Sequence, residues 1–220
     1  MNQNRKWFGS ITTNKQNNTV MAIKNIVFDF GGVLIDWNPR YFYKNVFRDK
    51  SEMEFFLKDI CGHEWVQKQD AGYSFSEATK ELQNQYPEYR SEIEMYHRNW
   101  EMMLKGEIIE NTKLLKPLKT RYRLFGLTNW SAEEFPIVFD RNPFFKIFEG
   151  IVISGKEKKV KPNKDIYELL LNRYRLLVDE SLFIDDNFNN IETAKELGFF
   201  TIHVNGNQSL KEQLIKFGLL

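Results

Sequence analysis

Residues Ile26–Trp37 read IVFDFGGVLIDW, and the order of residue types in this stretch decides the fold. A run of branched and aromatic apolar residues reaches one carboxylate, Asp29, with Gly31 and Gly32 close behind. Continuous apolar runs of this length suit a strand buried on both faces of a parallel sheet, where no face is left to alternate toward water. The same texture returns at Tyr122–Asn129, Phe148–Ser154, Ser181–Asn187 and Phe199–Asn205. Pro162–Leu176 has helical spacing, with proline in its expected first turn. Asn190–Gly198 is amphipathic and stops at a glycine. Strand, loop and helix in alternation predict an α/β fold with a doubly wound parallel sheet.

The texture changes between the first two of these strands. Arg40 to about Leu104 carries charged helical stretches punctuated by Gly62, Gly72 and Pro87, and no convincing strand. A small helical domain inserted after the first strand is the expected organisation: residues 36–106 as the insert, and 21–35 with 107–220 as the α/β core. The polar, asparagine-rich residues 1–20 read as a disordered extension without the apolar segment of a secretory signal. Met21 directly precedes the first strand and is a candidate start.

Of the 220 residues 42% are apolar, enough for a sizeable core, and the net charge is +1. That balance carries no electrostatic footprint for nucleic acid. No apolar run reaches the roughly 18 to 20 residues of a membrane span. A single cysteine, Cys61, forms no internal disulfide. A cytoplasmic protein without membrane or nucleic-acid partners is therefore expected.

Ligands of open α/β sheets sit outside the carboxyl ends of the strands. Asp29, Thr128–Asn129 and Asp185–Asp186 all fall at such ends, and Lys161 stands just before a predicted helix. Alone, each has an ordinary structural explanation: a turn former, a helix cap, a solvated lysine. Two adjacent carboxylates after an apolar strand instead require a positive neighbour. Together the residues form a coherent chemistry. A carboxylate can attack phosphorus and form an aspartyl-phosphate. The anionic ester needs charge neutralisation, which a lysine and a magnesium ion held by oxygen ligands supply.

Four motifs, VFDFGGVL, LTNWS, VKPNKDIY and FIDDNFNNI, make the sequence from Met21 to about Asn205 resemble the haloacid dehalogenase-like hydrolases. The resemblance implies a Rossmann-like core with a helical cap. It implies Asp29 as nucleophile, and Thr128, Asn129 and Lys161 around the phosphate. The metal site it implies is Asp29, the Gly31 backbone carbonyl, Asp185 and Asp186, holding Mg2+, with the order of the last two at the metal left open. The expected substrate is a small phosphorylated metabolite.

One position departs from the family pattern. Phosphatases of this family usually carry an aspartate two residues after the nucleophile, to protonate the leaving group and then activate water. Here that residue is Gly31. A subgroup resembling sugar-phosphate phosphatases starts D-x-G-x-V and also lacks this acid. Asp36 is the candidate substitute, with a helix-capping role as its structural alternative. His63 reads as a turn or surface residue, and Trp65, Tyr73, Phe75, Tyr96 and Trp100 read as packing within the insert. Two rival functions remain: a metal-independent 2-haloacid dehalogenase, which the paired Asp185–Asp186 argues against, and a non-catalytic phospho-ligand binding protein on the same fold.

Overall fold

A computed structural model describes residues 23–220; the expectations for residues 1–20 and for Met21 lie outside this range. Seven strands are present in it: β1 (Asn25–Phe28), β2 (Ile35–Trp37), β3 (Leu104–Glu107), β4 (Arg123–Thr128), β5 (Gly150–Ile153), β6 (Ser181–Asp185) and β7 (Phe200–His203). Five form one sheet in the order β5-β4-β1-β6-β7, with every neighbouring pair parallel. This is the predicted doubly wound arrangement. β1 lies at the centre, paired with both β4 and β6, and the strand order reverses beside it. A ligand crevice therefore opens at the carboxyl ends of β1 and β6.

The apolar run of β1 divides its side chains between two cores. Ile26 and Phe28 join the larger cluster on one face, while Val27 packs with Phe125, Leu127 and Phe183 on the other. The second face is covered by the helices Lys164–Tyr174 and Phe188–Leu197, which supply Ile166, Tyr167, Ile191 and Ala194. Gly198 ends the latter helix with φ of 101°, a backbone conformation open to glycine at little cost. Pro162 lies one residue before the Asn163 N-cap rather than inside the first turn, so the predicted helix start is two residues early.

Arg40–Met103 forms helices and no strand of the main sheet. Its principal helices are Lys50–Phe55, His63–Asp70, Phe75–Gln85 and Arg90–Arg98. Trp65, Tyr96 and Trp100 are buried here. Tyr73 and Phe75 are half-buried, Phe75 stacking on His97 at 3.7 Å. His63 is exposed at the start of its helix.

Two strands depart from the sequence-based expectation, β2 and β3. They pair antiparallel, Ile35 opposite Glu107 and Trp37 opposite Leu104, and so close the helical segment at its two ends. Three- and four-residue strands are too short to show a period, and their pairing spans about seventy residues of chain, so no local signal announces them. Among the described residues no helix is long and apolar enough to cross a membrane.

Candidate active site

Asp29 leaves β1 at the sheet's centre. Its backbone N–H donates to the Ile184 carbonyl at 2.8 Å, fixing it to β6, and its Oδ1 accepts from the Phe30 N–H at 2.7 Å. Lys161 is wholly buried and reaches both motif aspartates. Its Nζ lies 3.1 Å from Asp29 Oδ1 and 2.6 Å from Asp185 Oδ2. Burial pulls the ammonium toward losing its proton, but Asp185 and Asp29 outweigh that and hold it charged, above the usual lysine range. A solvated surface lysine, the ordinary reading of a lysine-rich stretch, is thus ruled out.

Asp185 is enclosed by donors. Besides Lys161, the Asn187 N–H gives a bond of 2.8 Å and the Asn190 side-chain amide reaches both carboxylate oxygens at 3.0 and 3.1 Å. Asp186 is the more open of the pair, and Gly32 explains how closely it approaches the first loop. Gly32 has φ of +69°, and a Cβ there would lie 2.2 Å from Asp186 Oδ2. Gly31 differs: a Cβ built on it meets no heavy atom of the described residues within 4 Å. The second glycine is a steric necessity, whereas the first is a missing side chain.

One carboxylate oxygen from each of Asp29, Asp185 and Asp186 lies within 4.8 Å of the other two. Fully ionised, three carboxylates against one ammonium leave two negative charges uncompensated, with Asp29 and Asp185 buried and Asp186 exposed. Burial raises the proton affinity of Asp29, and the neighbouring aspartates raise it further against the pull of Lys161. Burial and Asp185 do the same to Asp186. An all-oxygen donor set with two surplus negative charges suits a hard divalent cation such as magnesium.

Thr128 ends β4. Its Oγ1 is buried and has no hydrogen-bond partner among the described residues, as is true of Trp37 Nε1 and His97 Nε2, which leaves it free to bond a ligand. Asn129 takes a different part from the expected one. Its Oδ1 accepts from the Lys161 N–H and its Nδ2 donates to the Lys161 carbonyl, each at 2.9 Å. The side chain therefore clamps the lysine's backbone and keeps one amide hydrogen unused by that clamp. Asp36 sits in β2, where its carboxylate accepts from the Tyr41 hydroxyl at 2.8 and 3.1 Å. It caps no helix; Asn38 accepts from the Arg40 N–H at the next helix start instead.

Beside Gly31 lies a cavity of about 90 Å³. Trp37, Trp100, Trp130 and Val66 form its apolar walls, and Asp70 and Glu134 also line it; Asp36 does not. Burial pushes Asp70 up to about 7 and Glu134 up to about 8. Neither carboxyl was singled out in the sequence. Asp70 ends an ordinary charged helix, and Glu134 follows LTNWS as one of two adjacent glutamates, so no local pattern marks them.

The model of the haloacid dehalogenase-like hydrolases matches residues 26–204. The chain belongs to this family. It is 27% identical over 188 residues to a sesquiterpene phosphatase of Aspergillus oryzae, covering 83% of this chain and 90% of that one. It is 22% identical over 210 residues to a D-ribitol-5-phosphate phosphatase of Bacteroides thetaiotaomicron, covering 87% and 97%. Among solved structures, a haloacid dehalogenase-like family enzyme of the same bacterium, in complex with magnesium and inorganic phosphate, superposes with a TM-score of 0.66 at 23% identity, covering 87% of this chain and 98% of that one. The fold of this family therefore carries the site described above.

Proposed function

We propose that the protein is a magnesium-dependent phosphatase that hydrolyses a small phosphorylated metabolite through an aspartyl-phosphate on Asp29. The coarse part, a phosphoric monoester hydrolase of the haloacid dehalogenase-like family, rests on the family match and on relatives named as phosphatases. The observation that carries the finer part is the Asp29–Lys161–Asp185 cluster at the strand ends, with its two uncompensated negative charges.

Each residue then has a task. Asp29, exposed by only 8%, presents one carboxylate oxygen to phosphorus. Lys161 holds Asp29 in place and offers its ammonium to phosphate oxygens, and Thr128 Oγ1 offers the hydrogen bond that no protein group takes. Asn129 keeps the Lys161 backbone in position. Magnesium would be held by Asp29, the Gly31 carbonyl and the Asp185–Asp186 pair, and when bound supplies the positive charge that lets one anion approach another. With Asp185 saturated by donors, Asp186 is the better placed of the two for direct contact. The helical segment Arg40–Met103 serves as a cap that shapes the leaving-group side of the site.

A sugar or polyol phosphate is the first substrate reading, matching two relatives named for carbohydrate or ribitol phosphates. The tryptophan walls beside Gly31 favour a second, an apolar alcohol phosphate, in keeping with the sesquiterpene phosphatase. Phosphate release from p-nitrophenyl phosphate, ribitol 5-phosphate and farnesyl phosphate, with magnesium and after chelation, tests the proposal. Activity on at least one ester should vanish with chelator, return with magnesium, and fall by about 10⁴-fold or more in Asp29→Asn. Full activity after chelation removes the metal; substantial activity in Asp29→Asn removes the covalent step.

A further inference from the structure

We propose that Asp70, reaching the site from the helical segment, is the acid and base that Gly31 does not supply. The assignment rests on the phosphatase reading above. Three structural observations carry it. The place where the family's acid would project is empty, since a Cβ on Gly31 meets nothing within 4 Å among the described residues. Gly31 and Asp70 line the same small cavity, whose other walls are three tryptophans, a valine, Asn129 and Glu134. The alternatives are engaged: Asp36 is tied to Tyr41 outside the cavity, Asn129 clamps Lys161, and Glu134 faces Ser131 Oγ at 3.4 Å and His97 Nδ1 at 3.3 Å.

The surroundings give Asp70 a proton to donate near neutrality. Burial raises its proton affinity, Glu134 raises it further, and Lys161 opposes them. Glu134 is itself kept protonated to about 8 by burial, and the adjacent His97 is held neutral down to about 4. The turn after Asp70 packs on the Ser154–Glu157 helix, where Gly72 faces the Gly155 carbonyl and the Lys158 stem. The charged groups of that neighbouring segment are Lys156, Glu157 and Lys158.

The balance is simple. Asp29 attacks phosphorus, the bond from phosphorus to the ester oxygen breaks, and Asp70 passes its proton to that oxygen, releasing the alcohol. Asp70, now a carboxylate, takes a proton from water as the water oxygen attacks the aspartyl-phosphate. The phosphorus–Asp29 bond breaks, and inorganic phosphate and free Asp29 are released.

The test compares two esters of similar size and different leaving groups, p-nitrophenyl phosphate and benzyl phosphate, by kcat/KM, which ends at departure of the alcohol. A nitrophenolate leaves without a proton; a benzyl alkoxide does not. Asp70→Asn should lower kcat/KM for benzyl phosphate by about 10²- to 10⁴-fold and leave that for p-nitrophenyl phosphate within a few-fold, with a burst of nitrophenol before a slowed steady state. Adding Gly31→Asp to Asp70→Asn should restore much of the benzyl rate. In the wild type, kcat/KM for benzyl phosphate should fall above about pH 7 while the nitrophenyl ester shows no matching fall. That profile stands even if Asp70→Asn does not fold. Equal losses on both esters in a folded Asp70→Asn, or matching wild-type pH profiles, overturn the assignment alone. Phosphate release by the wild type from neither ester, nor from ribitol 5-phosphate or farnesyl phosphate, overturns the phosphatase reading and the assignment with it.

Discussion

Two groups of carboxyls lie near Gly31, and they live in different company. Asp29 and Asp185, at the strand ends, share a buried ammonium, and backbone or amide donors hold the rest of Asp185. Asp70 and Glu134 share the cavity beside Gly31, walled by tryptophans. Burial acts on both groups in the same direction, yet only the first contains Lys161 and an oxygen set that suits a divalent cation. Burial pushes Asp29 up to about 7, as it does Asp70, so what sets the first group apart is its ammonium and its oxygen set, which can meet a cation and a phosphate. One residue type thus yields a nucleophile or an acid according to what is packed against it.

The largest expected effect breaks the first group. Lys161→Met keeps the length of the stem but leaves Asp29 and Asp185 without their cation. Removing one partner of a buried pair leaves a stranded charge, so thermal or denaturant unfolding should show a loss of about 3–5 kcal/mol, with phosphatase activity lost as well. A variant as stable as the wild type would mean that the carboxylates simply take up protons, and the cluster would not be charged as described.

Next is Thr128→Val, which separates ligand binding from stability. Because Thr128 Oγ1 has no partner among the described residues, the valine removes no internal hydrogen bond, and the melting temperature should stay level or rise. Phosphate recognition should weaken: turnover should fall on the order of 10²-fold, and inorganic phosphate should inhibit less. A clear drop in melting temperature without a kinetic effect would make Thr128 structural.

The smallest effect sharpens the second group. Glu134 has a folded pKa of about 8, raised from 4.5 by burial. A raised folded value means its contribution to stability is fully present below about pH 4.5 and is lost as pH climbs through about 8. Glu134→Gln cannot ionise, so its stability relative to the wild type should improve across that window, read as a melting temperature that gains on the wild type between about pH 4.5 and 8 and levels off above it. A pH-independent difference between the two proteins would show that Glu134 is not a buried acid.

How much of this was legible in the chain differs by kind of residue. Asp29, Thr128, Lys161, Asp185 and Asp186 each stand at or beside a recognisable strand end, and parallel sheets bring strand ends together, so a local pattern plus one topological rule found them. The tasks of Asn129 and Asp36 were less legible, because an amide or carboxylate after a strand can bond in any direction and its partner, Lys161 or Tyr41, is a matter of packing. Asp70 and Glu134 were invisible for the same reason: the cavity they share is assembled from remote segments, with Trp37 and Trp100 distant in sequence from both.

By itself the sequence determined the alternation of strands and helices, the helical segment between β1 and β4, and the set of charged groups at the strand ends, because apolar periodicity and strand-end position are local properties. The tertiary structure decided the rest. It separated Gly32, whose positive φ and closeness to Asp186 demand glycine, from Gly31, whose side is open. It paired β2 with β3 across the insert, and it set Asp70 beside the space that Gly31 leaves. These depend on distances between segments remote in the chain, and burial, which sets whether a carboxyl keeps its proton, exists only once those segments have packed.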